Sequence, residues 1–156
     1  MALVNARMFE EMKGLSAEVK RDMARVLTEG IGRGLNPREV SRNLTEQVGI
    51  EKRRANRIAR TEITTALRRA KWEEDQEASE FYGLKTKLLH ISALSPTTRH
   101  THAARHAHLY TNEEVRDWYA KDANSINCKC TQQSVLVDEE GKPIYPDTIT
   151  KLKQEY

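Results

Sequence analysis

Two short stretches of this 156-residue chain hold six of its seven histidines and cysteines. Four of the five histidines, His100, His102, His106 and His108, fall within "RHTHAARHAH", and the only two cysteines, Cys128 and Cys130, stand in "NCKC". On a helix, His102 and His106 are one turn apart and can face the same ion, while in an extended segment Cys128 and Cys130 point to the same side. Two imidazoles and two thiolates can make a closed tetrahedral donor set, so His102, His106, Cys128 and Cys130 are candidate zinc ligands, with no cofactor required. Packed reduced thiols, an intermolecular link and a thiol–imidazole nucleophile are the competing readings of the same residues. The last finds no accompanying oxyanion hole or substrate pocket in the sequence. A disulfide between the two cysteines would close a very tight loop with poor geometry.

Positioning these residues falls to a chain that changes character near Gly83. Ser16 is an expected cap, followed by Val19, Met23, Val26, Leu27 and Ile31 at helical spacing and a glycine-bearing exit at "EGIGRG". A second helix begins at "NPREV", where Asn36 can cap, Pro37 suits the first turn and Glu39 can complete a capping box. Val40, Leu44 and Val48 form its stripe, and Gly49 ends it. No proline or glycine interrupts Ile50 to Phe81, which predicts a third, long helix. Beyond Gly83 the pattern predicts a strand at "KTKLLHIS", a helix begun by Ser95 and Pro96, and a short helix capped by Asn112. It then predicts a strand at "TQQSVLV", a turn at "DEEGKP" and a returning strand at "IYP".

The fold class is therefore α+β: a helical N-terminal half of about three helices, one of them long, followed by a small mixed module with a short antiparallel sheet. The expected divisions are a helical docking region over 1–82, the small module over 83–145, and a polar tail over 146–156.

The long helix has two unlike sides. Arg53, Arg57, Arg60, Thr64, Arg68 and Lys71 share one, and Ala55, Ile58, Ala59, Ile63, Ala66 and Ala70 the other, where small residues admit a close neighbour. Residues 50–72 carry eight Lys/Arg against two acids, and residues 73–80 five acids and no base. The cations Arg53, Arg57, Arg60, Arg68 and Lys71 suit a phosphate backbone bound without sequence preference, and they equally suit a solvated face. Glu62 falls on the apolar side and requires a partner, for which Arg99 is the first choice, making the two a structural pin. Trp72, Trp118 and Tyr119 are expected as packing residues.

Composition narrows the function classes. Apolar residues are 38% and charged residues 31%, with a net charge of +3. No run approaches the roughly 20 apolar residues a bilayer crossing needs, and the first residues lack the apolar core of a secretory signal. The expectation is a soluble chain of a reducing compartment.

Three segments, "RANRIARTEITTALRRA", "TTRHTHAARH" and "NCKC", together resemble the phage Mu F-like minor head protein family, or phage head morphogenesis domain, in order and spacing. The resemblance rests on Arg60, Thr61 and Glu62, on Thr98, Arg99 and His102, and on Asn127 to Cys130. The resemblance implies that many relatives carry a further Cys-x-x-Cys pair where this chain has threonine and histidines, leaving His102 and His106 as the substitutes. The resemblance implies a minor head protein of a tailed phage or prophage, acting in head morphogenesis near the portal and in DNA packaging or ejection. It further implies a location in the virion head, and in the host cytoplasm during assembly. The implied partners are the portal protein, other head components and packaged double-stranded DNA, with no membrane and no catalytic role.

The competing class is a metal-dependent nuclease or toxin-like enzyme, with the His-rich segment activating water and the basic helix holding nucleic acid. A regulatory DNA-binding protein is the third reading, without a helix-turn-helix spacing to support it.

Overall fold

The computed structural model describes residues 14–155. Its contacts divide the chain after Ala66 into two compact units. The division falls inside the long helix.

The first unit is helical because its caps and apolar spacing agree. Helix α1 (Ala17–Gly32) begins at Ser16, whose side chain accepts from the Val19 amide, and ends beside Gly34 at φ 68. Helix α2 (Pro37–Asn43) begins at Asn36, whose side-chain oxygen accepts from the Glu39 amide at 3.0 Å. A single π turn (Leu44–Val48) continues it to Gly49, which closes the end in the left-handed conformation at φ 79. Helix α3 (Lys52–Tyr82) follows, with Glu51 accepting from the amides of Arg53 and Arg54. These backbone donors hold the Glu51 carboxyl below its ordinary range. Met23, Val26, Leu27, Val40, Leu44, Ile50, Ala55, Ile58, Ala59 and Ile63 form one core.

The two-sided reading of α3 holds only for its first half. Ala55, Ile58, Ala59 and Ile63 are buried and Arg53 and Arg57 exposed, but further along Ala70 is exposed while Thr65, Arg68, Trp72 and Asp75 are buried. An α-helix advances 3.6 residues per turn, so the buried stripe at 65, 68, 72 and 75 is itself regular. Arg68 leaves the cationic side expected for it because its partners, the carbonyls of Cys128 and Cys130, come from distant sequence. Glu62, 5% exposed, lies in the first unit, and Arg99 in the second.

The second unit is built on a three-stranded antiparallel sheet, ordered β2–β1–β3, from β1 (Thr86–Ile91), β2 (Leu109–Tyr110) and β3 (Thr131–Leu136). Leu88 pairs with Tyr110 on one side and Ser134 on the other. Strand β2 had no sequence signal, since two residues show no alternation. The expected helix from Ser95 shrinks to α4 (His100–Ala103), which gives way to turns before Ala107 at φ 63. Helix α5 (Asn112–Tyr119) is capped by Thr111 in a capping box with Glu114, not by Asn112. The Asn112 amide donates instead to Trp72 O at 2.7 Å and Asp75 Oδ2 at 3.0 Å. The turn at 138–142 forms, but the returning strand reduces to one bridge between Val137 and Pro143. Within the expected tail, α6 (Asp147–Lys153) buries Ile149.

Candidate metal centre

The approach of the two cysteines to His102 is set by arginines. Arg99, immediately before α4, donates to the carbonyls of Ala123, Asn124 and Ile126 at 3.1, 3.2 and 2.9 Å. This loop needs such fastening, because Asp122, Ala123 and Asn127 all have φ near +50, a conformation costly for residues with a Cβ. One position on, the Arg68 guanidinium takes the carbonyls of Cys128 and Cys130 at 3.5 and 3.3 Å and lies over the Tyr119 ring, 4.5 Å from its centroid. Together the two arginines fix the backbone on both sides of Asn127.

In the cluster so formed, His102 Nδ1 lies 3.5 Å from Cys128 Sγ and 3.7 Å from Cys130 Sγ. The three ligand atoms lie within 4.8 Å of one another, and all three residues are buried. The Cys130 amide donates to Cys128 Sγ at 3.3 Å, and the Tyr119 hydroxyl is 3.5 Å from the same sulfur. Tyr119 is in turn held by Gln132 at 3.1 Å, whose carbonyl accepts from the Trp72 indole at 3.0 Å. The core of this unit joins Trp72, Leu88, Val115 and Tyr119 to the two cysteines.

Electrostatics divide the two thiols. The Cys130 thiol donating to Cys128 holds the Cys128 pKa below the ordinary thiol range, with Arg68 and Tyr119 assisting against burial, and the same bond together with burial pushes Cys130 up. Burial also holds His102 below the ordinary imidazole range, against the opposing pull of Cys128, so its ring is neutral at pH 7 with a lone pair to give. Burial pushes the Tyr119 hydroxyl up, keeping it a donor.

His106 does not join this cluster. Because α4 stops at Ala103, the one-turn relation between His102 and His106 never forms. His106 Nδ1 instead accepts from the Ser92 amide at 3.0 Å, and its Nε2 lies 3.3 Å from Glu155 Oε2. Of the expected four ligands, the fold assembles His102, Cys128 and Cys130.

The cationic stripe is likewise split. Arg53 and Arg57 are exposed and Arg60 half-buried. Arg68, only 2% exposed, serves the cysteine segment and has no place in an outward phosphate-binding face. Lys71 is exposed and donates to Thr131 Oγ1 at 3.2 Å.

Sequence reasoning missed His90 altogether. It is fully buried, its Nδ1 is 3.3 Å from Gln132 Nε2, and burial, with Arg105 next, lowers its pKa to about 3. Arg105 was missed as well: its guanidinium covers Tyr110 and Trp118, 3.7 and 4.2 Å from the ring centroids. A histidine within "KLLHIS" has no spacing that marks it, and cation–π partners are invisible without the fold.

Among protein families, the model described as Phage Mu protein F like protein matches residues 21–133. Comparison with curated proteins and with solved structures gave no match.

Proposed function

The chain belongs to the Phage Mu protein F like family and is a phage head-related protein, and from that premise we propose that it is a minor head protein acting in morphogenesis next to the portal. The carrying observation is the family match, which spans most of the chain and takes in both the arginine-rich helix and the histidine segment. Two features of the surface support the reading. All seven large apolar side chains exposed among the described residues belong to the second unit, and six of them, Phe81, Tyr82, Leu84, Leu136, Ile144 and Tyr145, lie near the start of β1 and the end of β3. The Ile144 amide donates to Leu136 O, and the Val137 amide to Lys85 O, which draws these segments together. Exposed apolar surface of this kind suits a protein that works in an assembly.

The second feature is charge. Arg53, Arg57 and Arg60 give the first unit cations for contact with packaged double-stranded DNA, through phosphates and without base readout. The role is a structural one, and what supports it is the family match.

The test is genetic and biochemical. Removing the reading frame from the phage is expected to leave capsid and portal proteins synthesised but heads misassembled or empty, and the tagged chain should copurify with the portal. Normal yields of filled, infectious heads without it would overturn the proposal.

A further inference from the structure

We propose that His102, Cys128 and Cys130 form a zinc centre with three protein ligands, His102 binding through Nδ1 and a water completing the tetrahedron, and with His106 outside the ligand set. The inference rests on side-chain geometry and stands apart from the head-assembly reading.

Three observations carry it. Ligands about 2.3 Å (sulfur) and 2.0 Å (nitrogen) from a tetrahedral zinc lie roughly 3.6 Å from each other. The two sulfur–nitrogen separations are 3.5 and 3.7 Å. The same distances suit thiol–imidazole hydrogen bonds, so spacing alone does not decide between them. The surroundings add the second observation. Zinc requires thiolates, and here donors point at sulfur: the Cys130 amide and the Tyr119 hydroxyl at Cys128, and the Ser92 hydroxyl at Cys130. Arg68 holds the carbonyls on either side of Lys129 and places a positive charge beside the pair. Burial is the third. Exposure is 2% for His102, 2% for Cys128 and 5% for Cys130, so the set is sequestered, with His102 Nδ1 3.5 and 3.7 Å from the two sulfurs.

His106 plays another part. Its Nδ1 accepts from the amide of Ser92, whose hydroxyl reaches Cys130. That contact occupies His106 away from the two sulfurs. The donor chemistry, two soft thiolates and one imidazole, selects zinc over magnesium or calcium.

The full chain, produced in zinc-supplemented medium and exchanged into metal-free buffer, is analysed for metal content. One zinc per chain is expected, with tenfold or greater loss in Cys128→Ser, Cys130→Ser and His102→Ala, and retention in His106→Ala. Should those variants fail to fold, the wild-type chain stripped with a chelator is titrated with cobalt(II) alone, and intense visible absorption with a sulfur charge-transfer band is expected at one equivalent. A folded wild-type chain that carries no zinc and gives no such cobalt spectrum would overturn the centre, and loss of zinc in folded His106→Ala would overturn the ligand set.

Discussion

Arg68 shows how one residue can be read correctly in type and wrongly in place. Its position on a helical wheel put it among cations facing outward, yet its partners are two carbonyls sixty residues later. Periodicity records which residues share a side of a helix, and only the fold says what that side meets. Replacing Arg68 with Met should therefore cost about 2–3 kcal/mol in urea unfolding, because carbonyls accepting from a charged donor are left buried. The same change at half-exposed Arg60 should stay within about 0.5 kcal/mol. That Cys128 and Cys130 come close to His102 was legible from their chemistry and spacing. His106 was misplaced because its inclusion assumed a helix longer than the four residues of α4. His90 yields a pH prediction. Its folded pKa of about 3 lies below the unfolded value of about 6.5, so between those values the unfolded chain binds the extra proton and stability falls as pH falls. The slope from this group is at most about 1.4 kcal/mol per pH unit. Urea midpoints at pH 7 and pH 5 check it, and His90→Gln should lose less on acidification than the parent.

At the scale of elements, the first three helices were readable because each carries local punctuation that acts within a few residues. Ser16, Asn36, Gly34 and Gly49 do in the fold what their types imply. The second unit was harder for the opposite reason. Strand β2 exists because Leu109 and Tyr110 find Leu89 and Leu88, and the stripe from Arg68 to Asp75 exists because Cys130, Gln132, Asn112, Thr86 and Ser134 come to meet it. Such partnerships are long-range and leave no periodic trace. The packing of α1 on α2 makes a contrast that can be measured. A Cβ built on Gly30 would stand 2.6 Å from a Val40 methyl, whereas one on Gly32 meets nothing within 4 Å. Gly30→Ala should accordingly destabilise the chain by about 1–3 kcal/mol through overpacking. Gly32→Ala should leave stability unchanged or raise it by up to about 1 kcal/mol through helix propensity. Thermal melts of the two single variants distinguish these outcomes.

For the whole molecule, two compact units carry different surfaces. The first presents Arg53, Arg57 and Arg60 on α3, and the second a set of exposed apolar side chains around Tyr82 and Tyr145. No described helix is long and apolar enough to cross a membrane. If the cations serve DNA, replacing all three by Ala should weaken duplex binding similarly for unrelated sequences. It should also reduce the slope of log affinity against log salt by roughly 2 to 3, given about 0.9 per phosphate contact. The central claim is that this chain is a built-in part of a phage head, and quantitative mass spectrometry of heads purified from a lysate tests it most directly. A small, constant number of copies per head, retained through a high-salt wash, is the predicted result; heads lacking the chain while it is plentiful in the same lysate would contradict it.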